Sequence, residues 1–185
     1  MATGEQLRVG IIMGSDSDLK VMRHAGRALR TLGMEYGIHY EDRVISAHRT
    51  PHLMAEYAAT AAERGLRLII AGAGGSAALP GMVASETALP VLGVSITDNP
   101  DVMNRALGSM IGMPEGKPLA VFQGPAGAFN AGLFAGRVLM ATDPGMRAAY
   151  EAYELNELLS PVLGKDVSLR ELGAEAYLNQ PPATT

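Results

Sequence analysis

Short apolar runs alternate along the chain with longer segments in which apolar residues recur at helical spacing. The runs are four to eight residues long and rich in Val, Ile and Leu, which is typical of strands buried on both faces. We predict five strands: Leu7–Met13, one within Met34–Ile45 that ends in Val44 and Ile45, Leu66–Ala71, Pro90–Ile96 and Pro118–Phe122.

Helical spacing fills the segments between these strands. Capping residues, proline at a first helical position and glycine after a last turn indicate where several of the helices begin and end. The predicted helices run from the cap-type residues Ser15–Asp18 to Gly33, from Thr50-Pro51 to Gly65, from about Ser76 to Thr87, from Ala126 to Ala141, and onward from Asp143-Pro144 with Met146, Tyr150, Tyr153 and Leu155 as an apolar stripe.

This alternation of strands and helices predicts one parallel sheet covered on both faces, which is a three-layer α/β/α fold. We expect a single domain over residues 1–185. Its core would span residues 6–142, followed by a C-terminal helix over 143–163 and a tail over 164–185. The last residues, Gln180–Thr185, are polar and predicted to fray.

A parallel sheet of this type binds ligands outside the carboxyl ends of its strands. Functional residues are therefore expected in the loops that follow the strands. Within one of these loops, Pro100 could begin a helix. These predicted loops are Gly14–Asp18, Ser46–Thr50, Gly72–Ala78, Thr97–Asp101 and Gln123–Pro125.

Composition excludes several classes of function. The 185 residues contain no cysteine, which rules out disulfides, thiolate nucleophiles, iron–sulfur clusters and cysteine zinc sites. Tryptophan is absent and the net charge is −4, so a base-stacking or nucleic-acid surface is not expected. No apolar run approaches the roughly 20 residues of a membrane span, and no signal-peptide pattern is present. We expect a cytoplasmic protein that binds neither membrane nor nucleic acid.

The loop Gly14–Asp18 carries hydroxyls, carboxylates and the start of a helix. Helix N-terminal amides suit a phosphate, with Ser15 as a further donor, and Asp18 could accept hydrogen bonds from ribose hydroxyls. Plain helix capping is the alternative, although it requires only one of these residues.

The loop Ser46–Thr50 places His48 and Arg49 between a buried strand and a helix start. Arginine offers a fixed fork for phosphate or carboxylate, and histidine is the usual proton carrier near neutral pH. The alternative is a histidine that bonds a carbonyl and an arginine in solvent. Together with Ser46, the pair favours a functional site.

Residues His48, His52 and Glu56 are spaced by four, which resembles a metal-binding helix face. The helix begins only at Pro51, however, and Arg49 would repel a cation. We therefore expect no metal site.

The glycine segment, Gly72–Ser76, allows a flat ring or a carboxylate to lie close to main-chain amides. It matches neither the dinucleotide fingerprint nor the P-loop, so it does not predict a nucleotide cofactor. Tight packing of strand and helix is the alternative. The residues thus point to a phosphate and ribose pocket beside one ionisable histidine, and to proton-transfer chemistry on a small nucleotide-like phosphate.

Taken together, these segments resemble the PurE family, the class I N5-carboxyaminoimidazole ribonucleotide mutases of purine biosynthesis. The similarity runs from about Leu7 to Met140. It rests on Val9–Asp18 (VGIIMGSDSD), Val44–Pro51 (VISAHRTP), Ala61–Gly75 (AAERGLRLIIAGAGG) and Leu79–Met82 (LPGM), with support from Pro90–Val94, Met113-Pro114 and Asn130-Ala131.

The resemblance implies a flavodoxin-like sandwich, assembled as a homo-octamer, that needs no metal and no organic cofactor. It implies a carboxyl shift on an aminoimidazole ribonucleotide through decarboxylation, retention of CO₂ and renewed attack by a ring carbon. His48 would be the catalytic acid and base. The substrate-binding residues that it implies are Ser15, Ser46 and Arg49 for the phosphate, Asp18 for the ribose, and Gly72, Ala73, Gly74 and Gly75 beside the base and carboxylate.

Several positions depart from the family pattern in the part that would face the base and CO₂. A histidine of the pattern is Ala78 here, and a serine is Asp98. Thr97, the segment Asn99–Gly108, Gly112 and Gly124-Pro125 also differ. Two alternatives to the mutase therefore stay open: a related carboxylase or decarboxylase with another carboxylated substrate, and a ribonucleotide-binding module without catalysis.

Overall fold

The computed structural model describes residues 7–33, 38–97 and 99–179. Five parallel strands form one sheet in the order β2-β1-β3-β4-β5, which is the flavodoxin-like order. The strands are β1 (Leu7–Met13), β2 (Ile38–Val44), β3 (Leu66–Ala73), β4 (Val91–Ser95) and β5 (Ala120–Gln123).

Helices connect the strands and then continue beyond the sheet. A short 3₁₀ helix, Asp16–Asp18, precedes the first of them, and a π-helical segment, Glu154–Leu159, lies between the sixth and the seventh. The α-helices are α1 (Leu19–Thr31), α2 (Pro51–Thr60), α3 (Ala78–Glu86), α4 (Pro100–Ile111), α5 (Gly124–Met140), α6 (Pro144–Tyr153), α7 (Ser160–Leu172) and α8 (Ala174–Leu178).

A hydrophobic core lies on each face of the sheet. Neighbouring residues of β1 point to opposite faces, so Ile11 packs in the core beneath α1, α5 and α6, while Ile12 packs in the core beneath α2, α3 and α4. Both side chains are fully buried. The three-layer α/β/α prediction is therefore confirmed, as is the five-stranded parallel sheet.

Small residues bring α1 and α5 into close contact. A Cβ atom built on Gly132 would lie 2.5 Å from the carbonyl oxygen of Ala25 and 2.7 Å from the Cβ of Ala28. A Cβ on Gly136 would lie 2.3 Å from a methyl group of Leu32. The glycines of this Ala/Gly-rich helix thus let the two backbones approach.

The main differences from the predicted elements lie at their boundaries. The second strand is Ile38–Val44, so it lies within Met34–Ile45 as predicted but ends one residue before Ile45. Residues 34–37 of that segment lie outside the described residues. The second helix ends at Thr60, before the glycine at 65. Strand β5 passes directly into α5 at Gly124, so the predicted loop Gln123–Pro125 does not exist. Hydrogen bonding along the backbone, which the apolar pattern does not encode, decides these ends.

The C-terminal part is more helical than predicted. Met146, Tyr150 and Tyr153 of the predicted stripe are buried, but Leu155 is 55% exposed because it lies beyond α6 in the π-helical segment. Helices α7 and α8 replace the expected tail as far as Leu178, and Gln180–Thr185 lie outside the described residues. Within the ranges that the structure describes, none of the helices is sufficiently long and apolar to span a bilayer.

A polar network ties α2 to strand β2 at the edge of the sheet. The Tyr57 hydroxyl and Arg64 Nη1 both donate to Oε1 of Glu41, at 2.9 and 3.0 Å. The Arg64 guanidinium also lies 4.4 Å from the centre of the Tyr57 ring. Burial alone would raise the pKa of Glu41, but the hydrogen bonds from Arg64 and Tyr57, together with the charges of Arg64 and Arg43, lower it. This network holds the helix that follows the His48 loop.

Gly132→Ala should lower the free energy of unfolding by about 1–3 kcal/mol, because the new methyl group meets backbone atoms that cannot move aside. Urea denaturation followed by circular dichroism measures the change. Gly164→Ala is the matched control, since a Cβ there meets nothing within 4 Å inside helix α7. It should leave the midpoint unchanged or raise it. Equal losses in both variants would contradict close packing at Gly132.

Glu41→Gln should destabilise the protein at pH 7 by about 1 kcal/mol or less, since both partners of the ion pair are more than a third exposed. The folded-state pKa of Glu41 is lowered, so its contribution is complete above the unfolded value of about 4.3 and disappears as pH falls through the folded value. Denaturation curves of the two proteins should converge in acid. Asp166→Asn, which removes an exposed ion pair with Arg170, should have the same free energy of unfolding as the wild type, both at pH 7 and in acid.

Candidate functional site

The candidate site lies where the strand order reverses, at the carboxyl ends of β1, β2 and β3. Open α/β sheets form a crevice at such a point because the helices that follow two neighbouring strands pack on opposite faces of the sheet. Here the strands are β1 and β3, which are followed by α1 on one face and by α3 on the other. A cavity of about 430 Å³ occupies it, and we call it the His48 cavity. Its walls are Gly14, Asp18, Ser46, Ala47, His48, Arg49, Ala73, Gly74, Ser76, Ala78 and Leu79.

A second cavity of about 300 Å³, the Ser15 cavity, adjoins the first. The two share Gly14, Ser46 and Arg49 in their walls. Arg49 Nη2 donates to the carbonyl oxygen of Gly14 at 2.7 Å, so the guanidinium bridges the loops that follow β1 and β2. The remaining walls of the Ser15 cavity are Ser15, Asp16, Val44 and Thr50.

Ser15 and Asp18 form a capping box around the short 3₁₀ helix. The Ser15 hydroxyl accepts from the Ser17 amide at 3.4 Å, and the Ser15 amide donates to Oδ2 of Asp18 at 3.0 Å. The capping interpretation is thus realised, and the same two residues also line the cavities. Burial raises the pKa of the Asp18 carboxyl, although the hydrogen bond from the Ser15 amide opposes the rise.

Ser46 is held by Thr50 and in turn supports Arg49. The Thr50 hydroxyl accepts from the Ser46 amide and donates to the Ser46 carbonyl oxygen, both at 3.0 Å. The Ser46 hydroxyl accepts from the Arg49 amide at 3.2 Å. Thr50 does precede α2, as predicted, but its hydroxyl does not cap that helix. Its role in shaping this loop was not predicted, since a Thr-Pro pair reads as an ordinary helix start.

His48 lies at the tip of the same loop, before α2 begins. Its side chain is exposed, lines the His48 cavity, and makes no hydrogen bond with any other residue that the structure describes. The imidazole therefore has both nitrogens available to a ligand.

The glycine segment divides between strand and loop. Gly72 and Ala73 belong to β3, and a Cβ on Gly72 would lie 2.2 Å from the Met22 sulfur, so its missing side chain accommodates the core. Gly72 does not line either cavity, whereas Ala73 and Gly74 line the His48 cavity. The close-packing interpretation therefore holds for Gly72, which the resemblance had assigned to substrate binding.

The loop from β3 to α3, residues 74–77, has an unusual backbone. Gly75 and Ala77 both have positive φ, at 60° and 48°, and the Ala77 amide donates to the Gly74 carbonyl oxygen at 3.0 Å. No side chain caps α3, whose first residues Ala78 and Leu79 line the His48 cavity. Free helix amides thus border the cavity. Gly75 is exposed beside it.

The predicted site did not include three residues that line the His48 cavity, namely Ala47, Ser76 and Leu79. Ala47 and Leu79 are apolar, and Ser76 ends the glycine segment, so only its place beside the glycines could have indicated it. Ala78, noted as a departure from the family pattern, does line the His48 cavity, while Asp98 lies outside the described residues. Across residues 7–33, 38–97 and 99–179, no three histidine, aspartate or glutamate side chains gather as metal ligands.

Several known proteins are similar to this chain over most of its length. The N5-carboxyaminoimidazole ribonucleotide mutase of Mycobacterium tuberculosis is 49% identical over 173 residues, 93% of this chain and 95% of that protein. The Bacillus subtilis protein of the same name is 52% identical over 136 residues, 73% of this chain and 82% of that protein.

The crystal structure of Treponema denticola PurE superposes with a TM-score of 0.74 at 27% identity, over 88% of this chain and 98% of that one. Residues 8–158 match the family described as AIR carboxylase, which is most of the chain. With relatives near 50% identity over almost their full length, the chain belongs to the AIR carboxylase family.

Proposed function

We propose that the protein is an isomerase of purine biosynthesis that converts N5-carboxyaminoimidazole ribonucleotide into its carbon-carboxylated isomer. This is the reaction named in the relatives that are about 50% identical to the chain. The single observation that carries the proposal is the meeting of His48, Arg49 and Asp18 around one cavity at the strand-order reversal. A proton carrier, an anion-binding fork and a ribose acceptor are the groups that this substrate requires.

The Ser15 cavity suits the substrate phosphate. Ser15, Ser46 and Arg49 supply two hydroxyls and a cation in its walls. Arg49 uses Nη2 toward Gly14 and Nε toward Ser46, so its Nη1 group is available to an anion without breaking those bonds. Asp18 lines the neighbouring His48 cavity and is placed to accept from ribose hydroxyls. The ribonucleotide would thus span both cavities.

The His48 cavity then receives the imidazole ring and its carboxyl group. Ala73 and Gly74 bring bare main chain to one wall, with Gly75 beside them, and the free amides of α3 border another. Amide donors of this kind stabilise a carboxylate or a developing negative charge without a side chain.

The reaction begins with cleavage of the bond between the carboxyl carbon and the exocyclic nitrogen. The bonding electrons return to nitrogen, which gains a proton, and CO₂ is formed. The ring carbon attacks the retained CO₂ and then loses its own proton, so one proton is gained and one is lost. His48 supports both transfers as acid and then as base. Holding CO₂ beside the ring carbon makes its addition effectively unimolecular, and exclusion of water keeps it there.

His48→Asn should lower kcat about 10²- to 10⁴-fold while leaving binding of aminoimidazole ribonucleotide nearly unchanged, because only proton transfer is removed. Interconversion of the two carboxylated isomers, followed by absorbance, measures turnover. His52→Asn is the matched control, since His52 is an exposed histidine on α2 outside both cavity walls. It should retain full activity.

The same assay separates the other candidates, which Ala78 in the cavity wall keeps relevant. Decarboxylation without rearrangement would support a related decarboxylase. Binding without turnover in the wild type would support a ribonucleotide-binding module. Unchanged isomerisation in His48→Asn would show that another group carries the proton.

The C-terminal helices support assembly into a homo-oligomer, for which the family resemblance implies eight copies. Leu159, Val162 and Leu163 are 55%, 63% and 61% exposed on the helical segments that follow α6. Burial of such side chains stabilises by roughly 25 cal/mol per Å² of apolar surface. A second copy of the chain is the occupant we propose for this surface.

Leu159→Glu combined with Leu163→Glu should lower the molar mass measured by light scattering, because two charges would enter the contact between copies. Lys165→Glu changes the net charge by the same −2 at an exposed polar position of α7 and should leave the mass unchanged. A monomeric wild-type protein, or an unchanged mass in the double variant, would contradict this contact.

A further inference from the structure

Helix α4 contacts a loop of the site through one side chain, although α4 follows a strand outside the group whose loops form the cavities. The Ser109 hydroxyl donates to the carbonyl oxygen of Ser76 at 2.7 Å. Ser76 lines the His48 cavity and lies 33 residues earlier in the chain. The bond therefore connects α4 to the wall that carries the bare main chain.

Ser109 sits on a well-anchored part of its helix. Ala106, one turn before it, is fully buried, and Met110, the next residue, is 1% exposed in the core beneath α2, α3 and α4. The Ser109 hydroxyl also lies 2.9 Å from the Ala106 carbonyl oxygen. The core thus holds the helix in place, while Ser109 itself is exposed and directs its hydroxyl to the Ser76 loop.

The loop that Ser109 contacts needs such support. Ala77 adopts a left-handed conformation that a side chain disfavours, and Gly75 adopts another two residues earlier. Inside the loop, the hydrogen bond from Ala77 to Gly74 closes a single turn, and no side chain caps α3. Strained backbone persists where surrounding contacts hold it.

We propose that Ser109 is a positioning residue for the reaction. By holding Ser76, the Ser109 hydroxyl keeps Gly74 and the first amides of α3 against the imidazole ring of the substrate and the carboxyl group of that ring. The role rests on the proposed function. It concerns the reacting end of the substrate, because Ser109 touches none of the residues assigned to the phosphate and ribose. Misplacement at that end affects the near-attack geometry more than ground-state binding.

An ordinary helical serine offers a direct comparison. Serine hydroxyls in helices often bond to a carbonyl oxygen one turn earlier, as Ser85 does with Gly81 at 3.0 Å. Ser85 is exposed and lines neither the His48 nor the Ser15 cavity. Ser109 differs from it by the additional bond to a distant loop, so Ser85→Ala removes a comparable hydroxyl without that bond.

Steady-state kinetics of the full-length protein with N5-carboxyaminoimidazole ribonucleotide test the role. Ser109→Ala should lower kcat about five- to tenfold with KM changed less than about twofold, which is the loss expected from one hydrogen bond. Ser109→Thr keeps the hydroxyl and should restore at least half of kcat. Ser85→Ala should match the wild type. An equal loss in the alanine and threonine variants, or a change confined to KM, would overturn the proposal.

Amide hydrogen exchange tests the same bond without turnover. The Ala77 amide should exchange at least about fivefold faster in Ser109→Ala and at the wild-type rate in Ser109→Thr and Ser85→Ala, at equal global stability. An unchanged rate in Ser109→Ala would overturn the proposal even in an active enzyme. An inactive wild type with the expected exchange pattern would refute the proposed function while the loop support stands.

Discussion

Met13 is paired with Val44 of β2 on one side and with Gly72 of β3 on the other, and the site depends on this register. Parallel pairing in this register ends three strands at the same height, so their loops begin side by side. A shift of one residue would exchange the two faces of a strand and bury the wrong side chains. The two hydrophobic cores that enforce the register therefore also position the loops around His48.

The loops are shaped by hydrogen bonds among their own polar groups. Ser15 and Asp18 close one turn, Thr50 holds Ser46, and Arg49 joins the first loop to the second through Gly14. Groups that are already fixed lose little further freedom when a ligand binds, which is the physical meaning of preorganisation. The β3–α3 loop has fewer bonds of its own and receives one from α4 instead.

Much of the fold could be predicted because long apolar runs have few alternatives. Strand β1 was predicted with its observed bounds, and the alternation of elements was sufficient for a parallel sheet. The residues proposed here for the phosphate, the ribose and proton transfer were singled out because Ser15, Asp18, His48 and Arg49 follow strands directly. Thr50 and Ser109 were not, since each acts through a backbone group that it meets only in the folded chain. Gly72 was assigned to the ligand because a glycine's neighbours cannot be read from a sequence.

The sequence by itself determined the layers, the edge of the sheet that carries the site and the chemistry available there. Periodicity and residue type are local properties, and they are present before the chain folds. Only the tertiary structure decided which glycine faces the core, which hydroxyl holds which carbonyl, and which loop of the His48 cavity α4 contacts. These contacts join residues up to 35 positions apart, and their distances depend on the packing of the whole sheet with its helices.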